Sequence, residues 1–305
     1  MVTPYLFGND LAFCIQSGDV ELRVCELGAA LVSMKFAGQE CVLGYDSPKG
    51  YEQTTSCIGL IVGRYANRIA RGEVVIGGET YRLDCNDGRN HLHGGNPGFH
   101  RRRWKGEKAG ENAVRFTLYS PAGEGGYPGN VEASVTYAVE NGRVRLSLEG
   151  TTDAETLFAP TTHAYFNFTG ERSALDSELA ILADYHLPVD GELIPTGELA
   201  PVEGSRYDFR TLRPVAGYYD DAFVLRGEHA CTMRANGMEM EIWTDYPALQ
   251  IYSGEGLTEP FVAGGGIALE PEVYPDSPHH ADWPQATLRA GEKFQKYIEY
   301  RFHKV

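Results

Sequence analysis

Val131-Glu132-Ala133-Ser134-Val135-Thr136-Tyr137-Ala138-Val139-Glu140-Asn141-Gly142-Arg143-Val144-Arg145-Leu146-Ser147-Leu148 is the stretch that decides the fold class. Val135, Tyr137 and Val139 alternate onto one face, and Val144, Leu146 and Leu148 alternate again after Asn141-Gly142. A period of two belongs to strands, where successive side chains point to opposite faces. Asn-Gly between two such runs predicts a hairpin, because both central residues of a type I′ turn need φ > 0. The device recurs at Asn236-Gly237, between runs at 231–235 and 238–244, and at Gly77-Gly78, between 74–76 and 80–83. Further strand runs lie at 22–25, 30–36, 114–119, 249–252 and 296–302. No run of twelve residues carries apolar spacing of three and four, so helices are expected to be few and short. The expectation is an all-β chain built as a large antiparallel β-sandwich.

Outward from that hairpin, no repeat, low-complexity tract or linker divides the 305 residues, and a single domain over 1–305 is expected. A chain of this length buries roughly three quarters of its unfolded surface and needs no staples. Its 36 Gly and 16 Pro show no period, which excludes a collagen-like chain and suits many tight turns. The net charge of −15 argues against nucleic acid and anionic membranes as partners, since both repel such a surface. Arg101-Arg102-Arg103 is a local exception, expected to be a solvated strand edge. No stretch of eighteen apolar residues suggests a membrane span, and residues 1–10 lack the basic start and apolar core of a secretory signal. The six cysteines form no Cys-x-x-Cys pair, so they are expected to be reduced, mostly buried small hydrophobes. A cytoplasmic location is expected.

Chemistry-bearing residues concentrate in six segments. Gly63-Arg64-Tyr65-Ala66-Asn67-Arg68-Ile69-Ala70 precedes Asn90-His91-Leu92-His93-Gly94-Gly95, whose glycines let backbone approach a ligand closely. His91-x-His93 puts two imidazoles on one face if the segment is a strand, which raises a metal site. No acidic residue follows before Glu107 to complete a ligand set, so no metal is expected, and His93 alone also suits a turn histidine bonded to backbone. In 160–168, His163 interrupts an aromatic strand, where it is either functional or a satisfied core histidine. Asp220-Asp221 is a carboxylate pair or a solvated turn. Gln250 lies in the run at 249–252, and Glu270 follows three apolar residues, ending a buried strand. Desolvation raises the pKa of such a carboxyl and suits it to base work near neutrality. Serine-hydrolase elbows, Walker loops, dinucleotide fingerprints and His-Glu-x-x-His are missing. The remaining His, Glu, Asp, Asn, Arg and Gln with aromatics suit proton transfer on a neutral, hydroxyl-rich ligand.

In these segments the chain resembles the aldose 1-epimerase, or galactose mutarotase, family. The likeness rests on 63–70, on 90–99 with Trp104, on the His-Ala-Tyr-Phe-Asn block at 163–167, and on 219–223, 249–254 and 267–276, six blocks in the family's order. The resemblance implies the galactose mutarotase-like supersandwich and an isomerase that interconverts the α and β anomers of a free aldose. It implies Glu270 as general base on the anomeric hydroxyl, His163 as general acid on the ring oxygen and His93 as a second histidine polarising the sugar. Asn67, Arg68, Asp220 and Gln250 would hold hydroxyls, Asp220 being preferred to Asp221 because it falls three residues before Phe223. No cofactor is implied, the partner is a small aldose, and the assembly is a monomer or homodimer. Two departures stand out: Glu272 where the family usually has Gln, and His279-His280 where an Asn is often found after Pro-Asp. Both bear on substrate preference.

Three other functions remain open from the sequence. Glu270 and Glu272, about 6.6 Å apart along a strand, suggest a glycosidase pair, but that leaves His93 and His163 without roles. A sugar-phosphate epimerase of the same fold would use Arg68 and the arginine run on a phosphate. A sugar-binding module without catalysis would have no need of the acid and base.

Overall fold

The computed structural model describes residues 1–305. Asn141 and Gly142 take φ of 50° and 76°, the left-handed pair that a type I′ turn requires, and the flanking strands pair from Glu140↔Arg143 to Val131↔Thr152. Asn236-Gly237 and Gly77-Gly78 turn in the same left-handed way. The alternation works as expected: Val135, Tyr137, Val139, Val144, Leu146 and Leu148 are all buried.

That hairpin supplies the third and fourth strands of a nine-stranded sheet whose neighbours run Lys105–Gly110, Ala113–Ser120, Val131–Glu140, Arg143–Thr152, Lys293–Lys304, Met238–Thr244, His229–Ala235, Glu178–Ile181 and Arg213–Pro214. A six-stranded sheet runs Tyr165–Phe166, Ile267–Glu272, Ala248–Tyr252, Asp220–Leu225, Ala183–Leu187 and Ala200–Pro201. A five-stranded N-terminal sheet spans Val2–Phe7 to Gln39–Glu40. One core of 64 buried residues draws on all three, with Ile15 and Val24, Val135 and Leu148, and Ile251 and Leu269 among its members. The helices are one α-helix, Pro48–Gln53, and four 3₁₀ turns. No helix is long and apolar enough to cross a membrane. All six cysteines are free, with Cys85 exposed and Cys14 partly so.

The structure departs from the sequence reading in four places that matter for the site. The run at 160–168 is not one strand: Thr161–Thr162 pairs with Ile61–Val62, and Tyr165–Phe166 pairs with Ile267–Ala268. The chain changes partner at His163, whose backbone N–H donates to Leu60 O and whose carbonyl accepts from Gly59. The Ile267–Glu272 strand continues two residues past Glu270, with Pro271 opposite Leu249. Asp220-Asp221 opens a strand rather than a turn.

Finally, Arg101-Arg102-Arg103 is no strand edge. Arg101 donates to the carbonyls of Tyr51, Glu52 and Thr54, Arg102 pairs with Glu124, and Arg103 pairs with Asp10 and Glu52. The run staples the end of the Pro48–Gln53 helix and Thr54 to Asp10, at the start of the second N-terminal strand, and to the turn that carries Glu124.

Phe158 is fully buried, with its ring 5.0 Å from Phe294 and 6.1 Å from Phe99. Truncation there removes contacts that no neighbour can replace, so Phe158→Ala should cost about 3–5 kcal/mol in denaturant unfolding. A cost under about 1 kcal/mol would mean the core relaxes around the cavity.

Candidate active site

A cleft of about 300 Å³ opens over the six-stranded sheet, walled by Asn67, Arg68, His93, His163, Asp220, Gln250 and Glu270. These are the seven residues singled out in the sequence, and the fold brings all of them together. Gln250 and Glu270 are cross-strand neighbours, and Asp220 stands opposite Tyr252 on the next strand. Asp221 points to the other face and is buried, its Oδ2 accepting from the backbone N–H of Asp220 at 3.2 Å.

The opposite jaw is a mutual clamp. A two-residue pairing joins His91–Leu92 to Arg68–Ile69, and beyond it His93 N–H donates to Asn67 O at 3.1 Å while Asn67 N–H donates to His93 Nδ1 at 3.1 Å. Accepting at Nδ1 leaves the proton of neutral His93 on Nε2. His93 has φ of 52° and Asn67 of 63°, so both leave the strand region there. The turn packs so closely that a Cβ on Gly94 would lie 1.7 Å from the Gly63 carbonyl oxygen, a place only glycine can occupy.

The two histidines of His91-x-His93 therefore do not share a strand face. Pairing stops at Leu92, and His91 turns into the core with Nδ1 2.7 Å from Asp84 O and Nε2 2.5 Å from the Tyr127 hydroxyl. No cluster of three or more His, Cys, Asp or Glu side chains suited to a metal ion exists in the chain.

Across the cleft, His163 stacks on the Tyr165 ring at 4.9 Å, its Nε2 lies 3.5 Å from Glu270 Oε1, and its ring centroid is 5.3 Å from that of His93. Burial pushes His163 down to about 3 and His93 well below the usual imidazole range. Burial, then the neighbouring Glu272 and Asp220, push the Glu270 carboxyl well above the usual range, with Arg68 opposing. Arg68 Nε donates to Asp87 at 2.8 Å, and its other end lies 3.9 Å from Asp220. Gln250 Nε2 donates to Asp220 Oδ1 at 2.6 Å. A proton donor, a proton acceptor and a rim of amide, guanidinium and carboxylate groups thus surround a space the size of one small polar molecule.

Thr55, Ser56, Cys57 and Gly256, which no motif marks, also line the cleft, as does Tyr252 of the 249–254 block, to which the sequence assigns no role. A Thr-Ser pair in a loop carries no signal of its own. The trace was the arginine run, since Arg101 holds the Thr54 carbonyl from behind.

The model of the aldose 1-epimerase family matches residues 12–301. The aldose 1-epimerase of Escherichia coli (strain K12) is 37% identical over 92% of this chain and 91% of its own length. The human galactose mutarotase is 32% identical over 95% and 93%. Among solved structures, the galactose 1-epimerase of Lactobacillus acidophilus NCFM superposes with a TM-score of 0.91 at 29% identity, covering 100% of this chain and 98% of that one. An aldose epimerase homologue from C. elegans superposes with a TM-score of 0.93 at 26% identity, with both chains fully covered. Matched from end to end in sequence and in fold, the chain belongs to the aldose 1-epimerase family.

Proposed function

We propose that this chain interconverts the α and β anomers of a free aldose of the galactose or glucose type, with Glu270 as base and His163 as acid. The observation that carries the assignment is the 3.5 Å approach of His163 Nε2 to Glu270 Oε1 inside a cleft rimmed by hydroxyl-binding side chains. Glu270 takes the proton of O1–H, His163 gives one to the ring oxygen, and the C1–O5 bond opens to the aldehyde. Rotation about C1–C2 presents the other carbonyl face, and the same transfers run backwards. Each group supplies about 10²- to 10⁴-fold acceleration. Nothing in these steps calls for a metal or a redox cofactor.

The couple cycles one proton, held by His163 while the ring is closed and by Glu270 while the aldehyde is held. Burial favours it on Glu270, so the protein's electrostatics lean toward the ring-opened side of the step. His93, with Nε2–H free, is placed to polarise the sugar, and Asn67, Arg68, Asp220 and Gln250 orient its hydroxyls. We read residues 1–305 as one unit because one core draws on every large sheet, working as a monomer or homodimer. Six free thiols fit the cytosol as its setting. A sugar phosphate has little to hold it: Arg101, Arg102 and Arg103 are committed elsewhere, and Arg68 already faces two carboxylates.

Glu270→Gln should lower the polarimetric rate of anomer interconversion by roughly 10²-fold or more while the circular dichroism spectrum stays native. A near-native rate would remove Glu270 from the base role. In His163→Asn, kcat should fall more than KM changes, and an unchanged kcat would return His163 to a packing role. In a panel of pure anomers, neutral glucose and galactose should turn over with higher kcat/KM than glucose 6-phosphate; the reverse order would point to the sugar-phosphate reading.

A further inference from the structure

Behind Glu270 stands a second carboxyl that the proton cycle does not use. Glu272 is two residues on, on the same face of the Ile267–Glu272 strand, with its residue about 6.6 Å further along. It is fully buried, does not line the cleft, and makes one hydrogen bond, Asn67 Nδ2 donating to its Oε1 at 2.9 Å. Its Oε2 has no partner in the protein, and neither does Oε2 of Glu270.

The groups facing this pair leave a charge imbalance. On the strand side are Glu270 itself and, one strand beyond Gln250, Asp220; on the jaw side the only cation is Arg68, already bonded to Asp87. Burial pushes His93 and His163 below the usual imidazole range, so neither adds a standing positive charge beside Arg68. The nearby phenols are occupied: Tyr65 donates to Tyr274 O at 2.7 Å and Tyr246 donates to Pro160 O, so neither satisfies Glu272. Two buried carboxyls and the half-buried Asp220 against one shared guanidinium is an arrangement that sheds charge by taking up a proton. Burial, reinforced by Asp220, pushes Glu272 above the usual carboxylate range, and the Asn67 bond only partly opposes this.

We infer that Glu272 works as a neutral carboxylic acid, a positioning residue that holds the charge of the cluster down so that Glu270 can both take a proton and return it. The inference rests on the reading of Glu270 as base. Uncharged, Glu272 still accepts from Asn67, keeping that side chain and the backbone clamp on His93 in register. Charged, it would tighten the hold of Glu270 on its proton and slow ring closure. Glutamine at this position is a near-isosteric copy of the protonated acid.

The test compares wild type with Glu272→Gln across pH, in stability and in rate. A folded state that binds this proton more tightly than the unfolded chain, where a glutamate releases it near about pH 4.3, loses stability as pH rises through that interval. The variant should therefore melt with wild type near about pH 5 and above it by roughly 2–4 °C or more near about pH 8. In kcat/KM the two should agree within about two-fold at the acid end, with the variant keeping its activity further into alkali. Glu270→Gln, unfolded over the same range, should show the same sign of pH dependence, because removing either carboxyl relieves the other. Differences that do not vary with pH, or a Glu272→Gln rate depressed equally at every pH, would make Glu272 an ionised structural acceptor and overturn the inference. Mutarotation surviving in Glu270→Gln would instead defeat the base assignment, and the unfolding curves would still report on Glu272.

Discussion

The Ile267–Glu272 strand is buried at every position, and two of its six residues are glutamates. Apolar neighbours on both sides give the strand its place in the sheet; the glutamates give the cleft its chemistry. A carboxylate held out of water is a stronger base than one in water, but it serves as one only where the protein tolerates its charge when it forms. Arg68 from the jaw and Asn67 on Glu272 answer that requirement, Asp220 two strands away works against it with Gln250 bonded to it, and His163 stands at the seam where the chain changes sheets.

Sheet topology makes this convergence possible. Residues 67–68, 93, 163, 220, 250 and 270 are distant in sequence, yet strand pairing places 220, 250 and 270 across three neighbouring strands. His163 arrives because its segment switches from pairing with Ile61–Val62 to pairing with Ile267–Ala268. Asn67 and His93 arrive as a unit, fixed by reciprocal main-chain and imidazole hydrogen bonds that depend on neither side chain meeting a ligand.

The strands legible in the sequence were those with one wet face, where alternation is visible: both arms of the 141–142 hairpin and of the 236–237 hairpin match the structure closely. The strands that carry the site were harder to bound, because burial on both faces erases the alternation, and Glu272 consequently lay outside the expected strand end. His163 was visible as a residue but its strand was misread, since a break in pairing leaves no mark when the residues on both sides are aromatic or β-branched. The arginine run was visible and misassigned: three adjacent cations say nothing about the carbonyls and carboxylates waiting for them on distant loops. Thr55 and Ser56 leave only an indirect trace, the arginine run that holds the neighbouring Thr54 carbonyl.

The tight seat of Gly94 on the Gly63 carbonyl divides the cleft into two jaws of unequal freedom. The jaw of Asn67, Arg68 and His93 is held by main chain against main chain and by the His93 ring, so exchanging His93 loosens the frame along with the ligand contact. Facing it, Thr55, Ser56 and Gly256 join the wall from loops, and Tyr252 ends the strand that carries Gln250. A change in which sugar this cleft accepts is therefore easier to seat at Thr55, Ser56 and Gly256 than on the jaw that Gly94 fixes.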